Sequence, residues 1–522
     1  MAARLFITSF KIGGFFLVVE NIIEAIDYWG VTEPERPVYL GADNQTYTYG
    51  ELKRYSDSIA NYLQKNTKRE TPIVVFGELE FEMLACFLGT TKAGHAYIPI
   101  DAHTPNDRVE MILDVAKPEM ILSVSEWPKL EREATVIDMS TLAMIVKQAD
   151  EELPLQPVVA DETYYIIFTS GTTGVPKGVQ ISHNNLLSFV NWELTDFGIT
   201  EGMRFLSQAP YSFDLSVMDV YPALVSGGSL TPLGKETIND FKKLFSTLPK
   251  MAIEVWVSTP SFVDICLMEP TFDGEHVSSL KVFLFCGEEL LKATAEKLLT
   301  RFPTAHIYNT YGPTEATVAI SGVEVTKELL QQYPRIPIGY VKKDTTVLIM
   351  DGDNEVEKGT IGEIIITGPS ISKGYMNNPE KTELAFFEYR GQAAYRTGDA
   401  GKLNDKDLLI YDGRIDFQVK LNGYRIELEE VDHHLATVSL VKQATVVPKY
   451  QNHKVQQLVA FVVPEENDFD KEFKLTKAIK AELSQSVMDY MIPHKFVYVE
   501  QLPLTANGKI DRKGLMNEVN AT

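Results

Sequence analysis

The chain has three cysteines in 522 residues, Cys86, Cys266 and Cys286, each in an apolar context and none in a C-x-x-C pair. That excludes a disulfide framework and a thiolate metal cluster, and leaves buried thiols of a reducing compartment as the expectation. Histidine is also scarce. Of nine, only His433 and His434 are adjacent, and neighbouring side chains on a predicted helix point apart, which makes a poor metal site. Positive charge is in deficit too: 49 Lys and Arg stand against 72 Asp and Glu, for a net charge of −23. A nucleic-acid groove needs clustered basic residues, so nucleic acid is not an expected partner. The apolar run from Ile12 to Val19 falls well short of the ~20 residues of a membrane span. No small-x-small cleavage site precedes "ENIIEAIDYWG". Residues 1–20 are therefore expected to be a non-core extension or the product of an upstream start codon rather than an export signal. The protein is expected in the cytoplasm, without stable membrane insertion. Solenoid-period repeats and low-complexity linkers are absent as well.

What is present reads as a globular protein of at least two domains, since single cores stop growing at about 250–300 residues. From about Asn21 to Tyr411, helical and extended segments alternate. Leu52, Tyr55, Ile59 and Leu63 repeat at helical spacing, "IVVF" (73–76) reads as a buried strand, "FEMLACFLGTTKAG" as a helix and "AYIPI" as another strand. "TYYIIF", "VFLFCG" and "AHIYNTYG" are further short β-rich runs ending in glycine or hydroxyl residues. The predicted fold class is α/β: a large N-terminal layered domain (21–415) with largely parallel sheets, plus a small mobile C-terminal α+β domain (416–522). The hinge falls near Arg414–Asp416. Ligands of such sheets gather where strand carboxyl ends meet loops, which directs attention to the loops after Phe168, Phe285 and Tyr308.

"YYIIFTSGTTGVPKGVQISH" (164–183) carries the first of them. Glycines free backbone N–H groups, Thr169, Ser170, Thr172 and Thr173 offer hydroxyls, and Lys177 a cation, all suited to phosphate oxygens. It is not a Walker A loop, because neither Gly171 nor Gly174 has a glycine five residues on. Taken alone, the stretch is equally an ordinary strand-to-strand turn. Four more motifs follow in order: "NTYGPTEATVA" (309–319), "YRTGDAG" (395–401), "GRIDFQVKLNGYRIELEE" (413–430) and "PLTANGKIDRK" (503–513). With "FTSGTTGVPKGV" they resemble the signatures of the adenylate-forming enzymes, the superfamily of acyl-CoA synthetases and peptide-synthetase adenylation domains.

The resemblance implies that a carboxylate attacks the α-phosphate of ATP, giving an acyl-AMP and then a thioester, with Mg²⁺ as the metal. Such chemistry asks a protein chiefly for alignment and charge stabilisation. It implies that Asn309, Thr310, Tyr311, Gly312, Pro313 and Thr314 line adenine and α-phosphate, and that Glu315 holds the metal. Asp399 would accept from the ribose hydroxyls, with Tyr411, Asp412, Gly413 and Arg414 also on the nucleotide. Lys509 would be the catalytic residue, bridging substrate carboxylate and α-phosphate. Asp416 would be the hinge acid about which the small domain turns between half-reactions, and Gly423 would admit a thiol arm.

For the substrate, "PYSFDLSVMD" places Asp214 among aromatic and apolar residues. A buried carboxylate is costly unless paired, so Asp214 asks for a cation; a helix cap or turn acid is the plain alternative. In the amino-acid-activating branch of the family the matching acid holds the substrate ammonium. Leu215, Met218, Cys286, Thr310, Val318 and Ala319 match the pocket positions and imply a small uncharged side chain. "FDLSVMDVYPALVSGGSL", "EVWVSTPSFVDICLMEPTF", "LFCGEEL" and "YMIPHKF" resemble most the branch that activates D-alanine for teichoic acid D-alanylation. No Gly-Gly-x-Ser carrier pattern fits within the two domains, so the expected acceptor is a stand-alone phosphopantetheinylated D-alanyl carrier protein, received near Arg414, Lys420 and Arg425. The alternatives are activation of another small amino acid, a short-chain or aryl acyl-CoA synthetase, and a nonenzymatic ATP-binding scaffold.

Overall fold

Each buried strand near the amino end of the chain sends its side chains to two different cores, and that alternation sets the layering. A computed structural model describes residues 18–41, 45–130, 134–147, 153–171, 174–505 and 510–521. In the strand Ile73–Gly77, Ile73 and Val75 join one apolar cluster while Val74 and Phe76 join another. The strands Arg204–Ser207, Val255–Ser258 and Val282–Phe285 behave alike: Phe205, Val255, Val257 and Leu284 face the first cluster, and Leu206, Trp256, Phe283 and Phe285 a third. The shared cluster therefore lies between two sheets. It is filled by helices, among them Tyr49–Asn66, Phe81–Lys92 and His183–Asp196. Phe81–Lys92 is buried at every residue but Glu82, as befits a helix between two sheets. Capping boxes fix two of the helix starts, Thr48 with Glu51 and Ser182 with Asn185.

One sheet has six strands. Val136–Ile137, Met120–Ser123, Ile73–Gly77, Tyr97–Asp101 and Thr163–Thr169 run parallel, and Lys177–Ser182 closes it antiparallel, pairing Thr169 with Lys177. The other has fifteen strands, parallel from Pro37–Leu40 through His306–Tyr311. Beyond Tyr311 it turns antiparallel, through Ser321–Glu324, Gly339–Val341, Leu408–Arg414, Gln392–Leu403, Gly362–Thr367 and Thr346–Asp351. The expected parallel order thus holds for the first two-thirds of the large domain. In the last third the ladder is antiparallel instead; Gln392–Leu403 and Leu408–Arg414, for one pair, are joined by a link (404–407) too short for a crossover helix.

The small domain has its own core, built on Leu428, Val431, Leu435, Val446, Leu458, Ala460, Ile479 and Met491. A hairpin (Gln418–Leu421 with Tyr424–Glu427) leads into helix Leu428–Thr437. Strands Val441–Gln451, Lys454–Pro464 and Lys495–Tyr498 follow, covered by helices Glu472–Leu483 and Arg512–Asn520. The three cysteines are free and buried. Among the described residues, no helix is long and apolar enough to cross a membrane.

Candidate active site

Three parallel strands end close together, at Thr169, Phe285 and Tyr311. The loops after them wall a cavity of about 780 Å³, whose lining includes Thr169, Ser170, Cys286, Gly312, Pro313 and Thr314. Asp214, Leu215, Val318, Asp399 and Arg414 also face it. An adjoining cavity of about 350 Å³ is lined by Asn309, Thr310, Tyr311, Tyr411, Gly413 and Asp416. Strand carboxyl ends are where α/β sheets place their ligands, and these volumes suit a nucleotide with a small second substrate.

Asp214 opens a single 3-10 turn (Asp214–Ser216) ahead of helix Val217–Val225. The Thr314 hydroxyl hydrogen-bonds its carboxylate, yet burial pushes the carboxyl above its usual range. It forms no ion pair among the described residues, and it is half-buried, facing the cavity instead of being sealed in protein. Leu215, Cys286 and Val318 line the same cavity. The Cys286 thiol lies 3.8 Å from the Val318 carbonyl oxygen, and burial raises its pKa.

Asp399 has both oxygens engaged by protein: Tyr311 donates its hydroxyl to one at 2.6 Å, and Arg414 Nη1 donates to the other at 2.9 Å. Each oxygen keeps a further lone pair, so two ribose hydroxyls fit the remaining acceptor capacity. Arg414 also forks onto Asp416, with Nε at 2.6 Å, and Asp416 accepts from the Gln418 amide at 3.1 Å. Burial works against the Asp416 charge, but the Arg414 pair holds its carboxyl below the usual value. Asp416 so ties the last strand of the large sheet to the first strand of the small domain.

Glu315 is fully buried. Tyr375 donates its hydroxyl to one oxygen at 2.8 Å, and Arg425 Nη1 donates to the other at 2.7 Å. Burial alone would raise this carboxyl; the Arg425 and Lys177 cations and these hydrogen bonds bring it down to about 2. Among the described residues no group of three or more His, Cys, Asp or Glu stands ready for a metal. Mg²⁺ needs only one or two carboxylates when phosphates and water supply the rest. An ionised Glu315 therefore fits it, provided Arg425 has left the oxygen it now occupies.

The small domain forms the roof. Gly423, at φ +86°, lies so close to Thr259 that an added Cβ would collide with the Thr259 methyl. Its amide donates to Glu288, whose carboxylate also takes Ser261 and, at 3.2 Å, Lys454. Tyr424 stacks on Tyr490 at 3.8 Å and meets Phe213 edge-on.

Several expected site residues stand elsewhere. Met218 and Ala319 are fully buried in the shared core and line neither cavity, since the helix after Asp214 turns Met218 away from it. Asp412 is exposed, because the strand alternates and it is Tyr411 and Gly413 that face inward. Lys177 sits behind the wall, 3.6 Å from Glu427 and over the Tyr375 ring. Arg414 and Arg425 turn inward onto acids rather than outward to a carrier, and Lys420 lines both cavities. Thr172, Thr173 and Lys509 lie outside the described residues, as does most of the 1–20 extension. The residues flanking the Lys509 loop, Leu504 and Ile510, pair with each other, are exposed and do not line the cavities.

Residues 26–376 match the family described as AMP-binding enzyme, and residues 430–509 its C-terminal domain. The chain belongs to the AMP-binding enzyme family. It is 53% identical over 506 residues to the D-alanine–D-alanyl carrier protein ligase of Lacticaseibacillus rhamnosus, covering 96% of this chain and 100% of that one. Identity to the ligase of the same name from Lactiplantibacillus plantarum is 54% over 507 residues, with the same coverage. In three dimensions it is similar, at a TM-score of 0.80 and 26% identity, to an NRPS protein containing adenylation and PCP domains bound to a vinylsulfonamide inhibitor. That match covers 95% of this chain and 84% of the other.

Sequence reasoning missed Tyr375 and Arg108, which lie outside every motif it used. It read Arg425 as a surface cation and passed over Glu288 and Glu430 inside quoted motifs. An acid in a glycine-rich strand-end motif, as Glu288 is in "LFCGEEL", was the one signal at hand.

Proposed function

We propose that this AMP-binding enzyme activates D-alanine as D-alanyl-AMP with release of pyrophosphate. It then transfers the D-alanyl group to the phosphopantetheine thiol of a separate D-alanyl carrier protein, for D-alanylation of teichoic acids. The observation that carries the reading is Asp214: a carboxylate on the cavity wall that forms no ion pair among the described residues, in a cavity also lined by the apolar Leu215, Cys286 and Val318. An α-ammonium supplies the missing charge. The substrate carboxylate then points toward the nucleotide, one of its oxygens attacks the α-phosphorus, and the bond to pyrophosphate breaks. In the second step the thiol sulfur attacks the acyl carbon and AMP leaves.

Asp399 orients the ribose, Asn309 to Thr314 the adenine and α-phosphate, and Lys509, brought in by the small domain, neutralises the charge developing at the α-phosphate. Mg²⁺, held by Glu315 and the ATP phosphates, would supply further charge neutralisation. The inward Arg425–Glu315 pair and the hairpin roof support assigning the described arrangement to the thioester half-reaction, with Gly423 beside the path of the thiol arm. Asp416 serves as the hinge. Relatives of over 50% identity named for this activity support the substrate and the carrier.

The test is ATP–pyrophosphate exchange across D- and L-amino acids and plain short-chain carboxylic acids. D-Alanine is expected to lead the panel. Exchange supported equally by propionate, or led by another amino acid, would overturn the assignment. A short-chain acyl-CoA synthetase has no use for Asp214, which argues against that reading.

A further inference from the structure

We infer that Glu430 is a built-in stand-in for the departing pyrophosphate: its carboxylate occupies the anion seat of the phosphate loop when the small domain docks in the described arrangement. This rests on the proposed reading of the 169–177 loop as a phosphate holder.

Glu430 lies on helix Leu428–Thr437 of the small domain and is completely buried at its interface with the large one. One oxygen accepts from the backbone amide of Gly171, inside the phosphate loop, at 2.9 Å. The other accepts from Arg108 Nη1 at 2.8 Å. Arg108, on helix Asn106–Ala116 of the large domain, is itself only 6% exposed. A guanidinium and a loop N–H closing on one buried anion are the donors by which proteins hold phosphate. Here the anion is a side chain of the other domain. The small domain holds the loop at two further points: on the strand before this helix the Arg425 carbonyl accepts from the Ser170 hydroxyl at 3.0 Å, and on the helix His433 packs against Gly174.

The Gly171 amide cannot serve Glu430 and a β- or γ-phosphate at once, and two buried anions on one guanidinium repel. ATP and the docked helix therefore exclude each other. AMP does not compete, because its single phosphate is the α-phosphate, placed by residues 309–314. The docked arrangement follows pyrophosphate departure, and pyrophosphate opposes it. Glu430 is thus a positioning residue for the thioester step: it touches no substrate, and acts through the loop and the domain it docks.

The test compares wild type with Glu430→Gln and Arg108→Gln. The readouts are D-alanine-dependent pyrophosphate exchange, and single-turnover transfer from the preformed adenylate to pantetheine in rising methylenediphosphonate, an unreactive pyrophosphate analogue. Losing one charged hydrogen bond corresponds to about tenfold or more. Glu430→Gln is expected to lower the transfer-to-exchange ratio by about tenfold, whereas Arg108→Gln, which strips a donor from either anion, is expected to lower transfer and exchange alike. Inhibition of transfer should set in at about tenfold lower analogue in Glu430→Gln, where the competitor is uncharged, and Glu430→Asp should recover part of both effects. Exchange and transfer falling in parallel in Glu430→Gln, or an inhibition constant that does not move in that variant, would overturn the inference. Should wild type give no exchange with D-alanine, the activity reading fails instead. The same two constants, measured with whichever acid the enzyme activates, then still decide the role of Glu430.

Discussion

Replacing Asp214 by Asn keeps the side chain's shape and its capacity to accept from Thr314, and removes only the charge. In the cavity that charge is short of a partner: burial has raised the carboxyl, and no described cation pairs with it. An ammonium about 4 Å away at an effective dielectric near 20 would gain ~4 kcal/mol. Truncating one member of a desolvated charge pair typically costs ~2–5 kcal/mol. A loss of ~3 kcal/mol corresponds to roughly a hundredfold in affinity for D-alanine. Propionate, which is alanine without its ammonium, should respond in the opposite sense. In the wild type it leaves the carboxylate desolvated and alone, and in Asp214→Asn that penalty disappears. The D-alanine to propionate ratio of kcat/KM in pyrophosphate exchange should therefore fall by more than a hundredfold. Binding of a fluorescent ATP analogue should hardly change. A ratio shifted by less than about fivefold would refute the ammonium assignment, whatever happened to overall activity.

Acidification should weaken D-alanine binding for the same reason. The ionised carboxylate binds ammonium and the protonated one does not, so affinity is lost as pH falls through the raised Asp214 pKa, beginning above the ordinary value of about 3.9. A pH profile of KM for D-alanine should show this, and Asp214→Asn should flatten it. Lys509→Ala should remove ~3–4 kcal/mol of transition-state stabilisation, lowering exchange about a hundred- to a thousandfold while ATP binding stays measurable; unaltered exchange would end its catalytic assignment. Phe283→Ala, at a fully buried strand position in the core beneath Trp256 and Phe302, should cost about 3–5 kcal/mol. A thermal midpoint within one or two degrees of wild type would contradict that packing.

The strands that carry the site were legible because each is a short run of apolar residues stopped by glycine or a hydroxyl, as in "YYIIFTSG" and "VFLFCG". The switch to antiparallel order was not, because "TVLIMD" and "GEIIIT" are equally apolar and one run does not tell the direction of its neighbour. Leu215 and Met218 were both read as pocket-lining, three residues apart in one helical stretch; the backbone brings Leu215 to the cavity and buries Met218. Arg425 shows the larger difficulty. Its partner Glu315 is 110 residues away on another domain, and nothing local distinguishes an arginine aimed at a buried acid from one in water. Glu430 and Arg108 were invisible for the same reason, being far apart in the chain and joined only by docking.

The roof above the cavity carries a hereditary constraint. Gly423 and Thr259 belong to different domains, yet they meet so tightly that the first cannot gain a carbon unless the second gives one up. Positive φ at Gly423 narrows the choice further. Variation at one of these positions is therefore tied to variation at the other. Descendants of this chain that widen position 423 should trim position 259 to alanine or glycine, or else lose the close packing of the roof on the large domain.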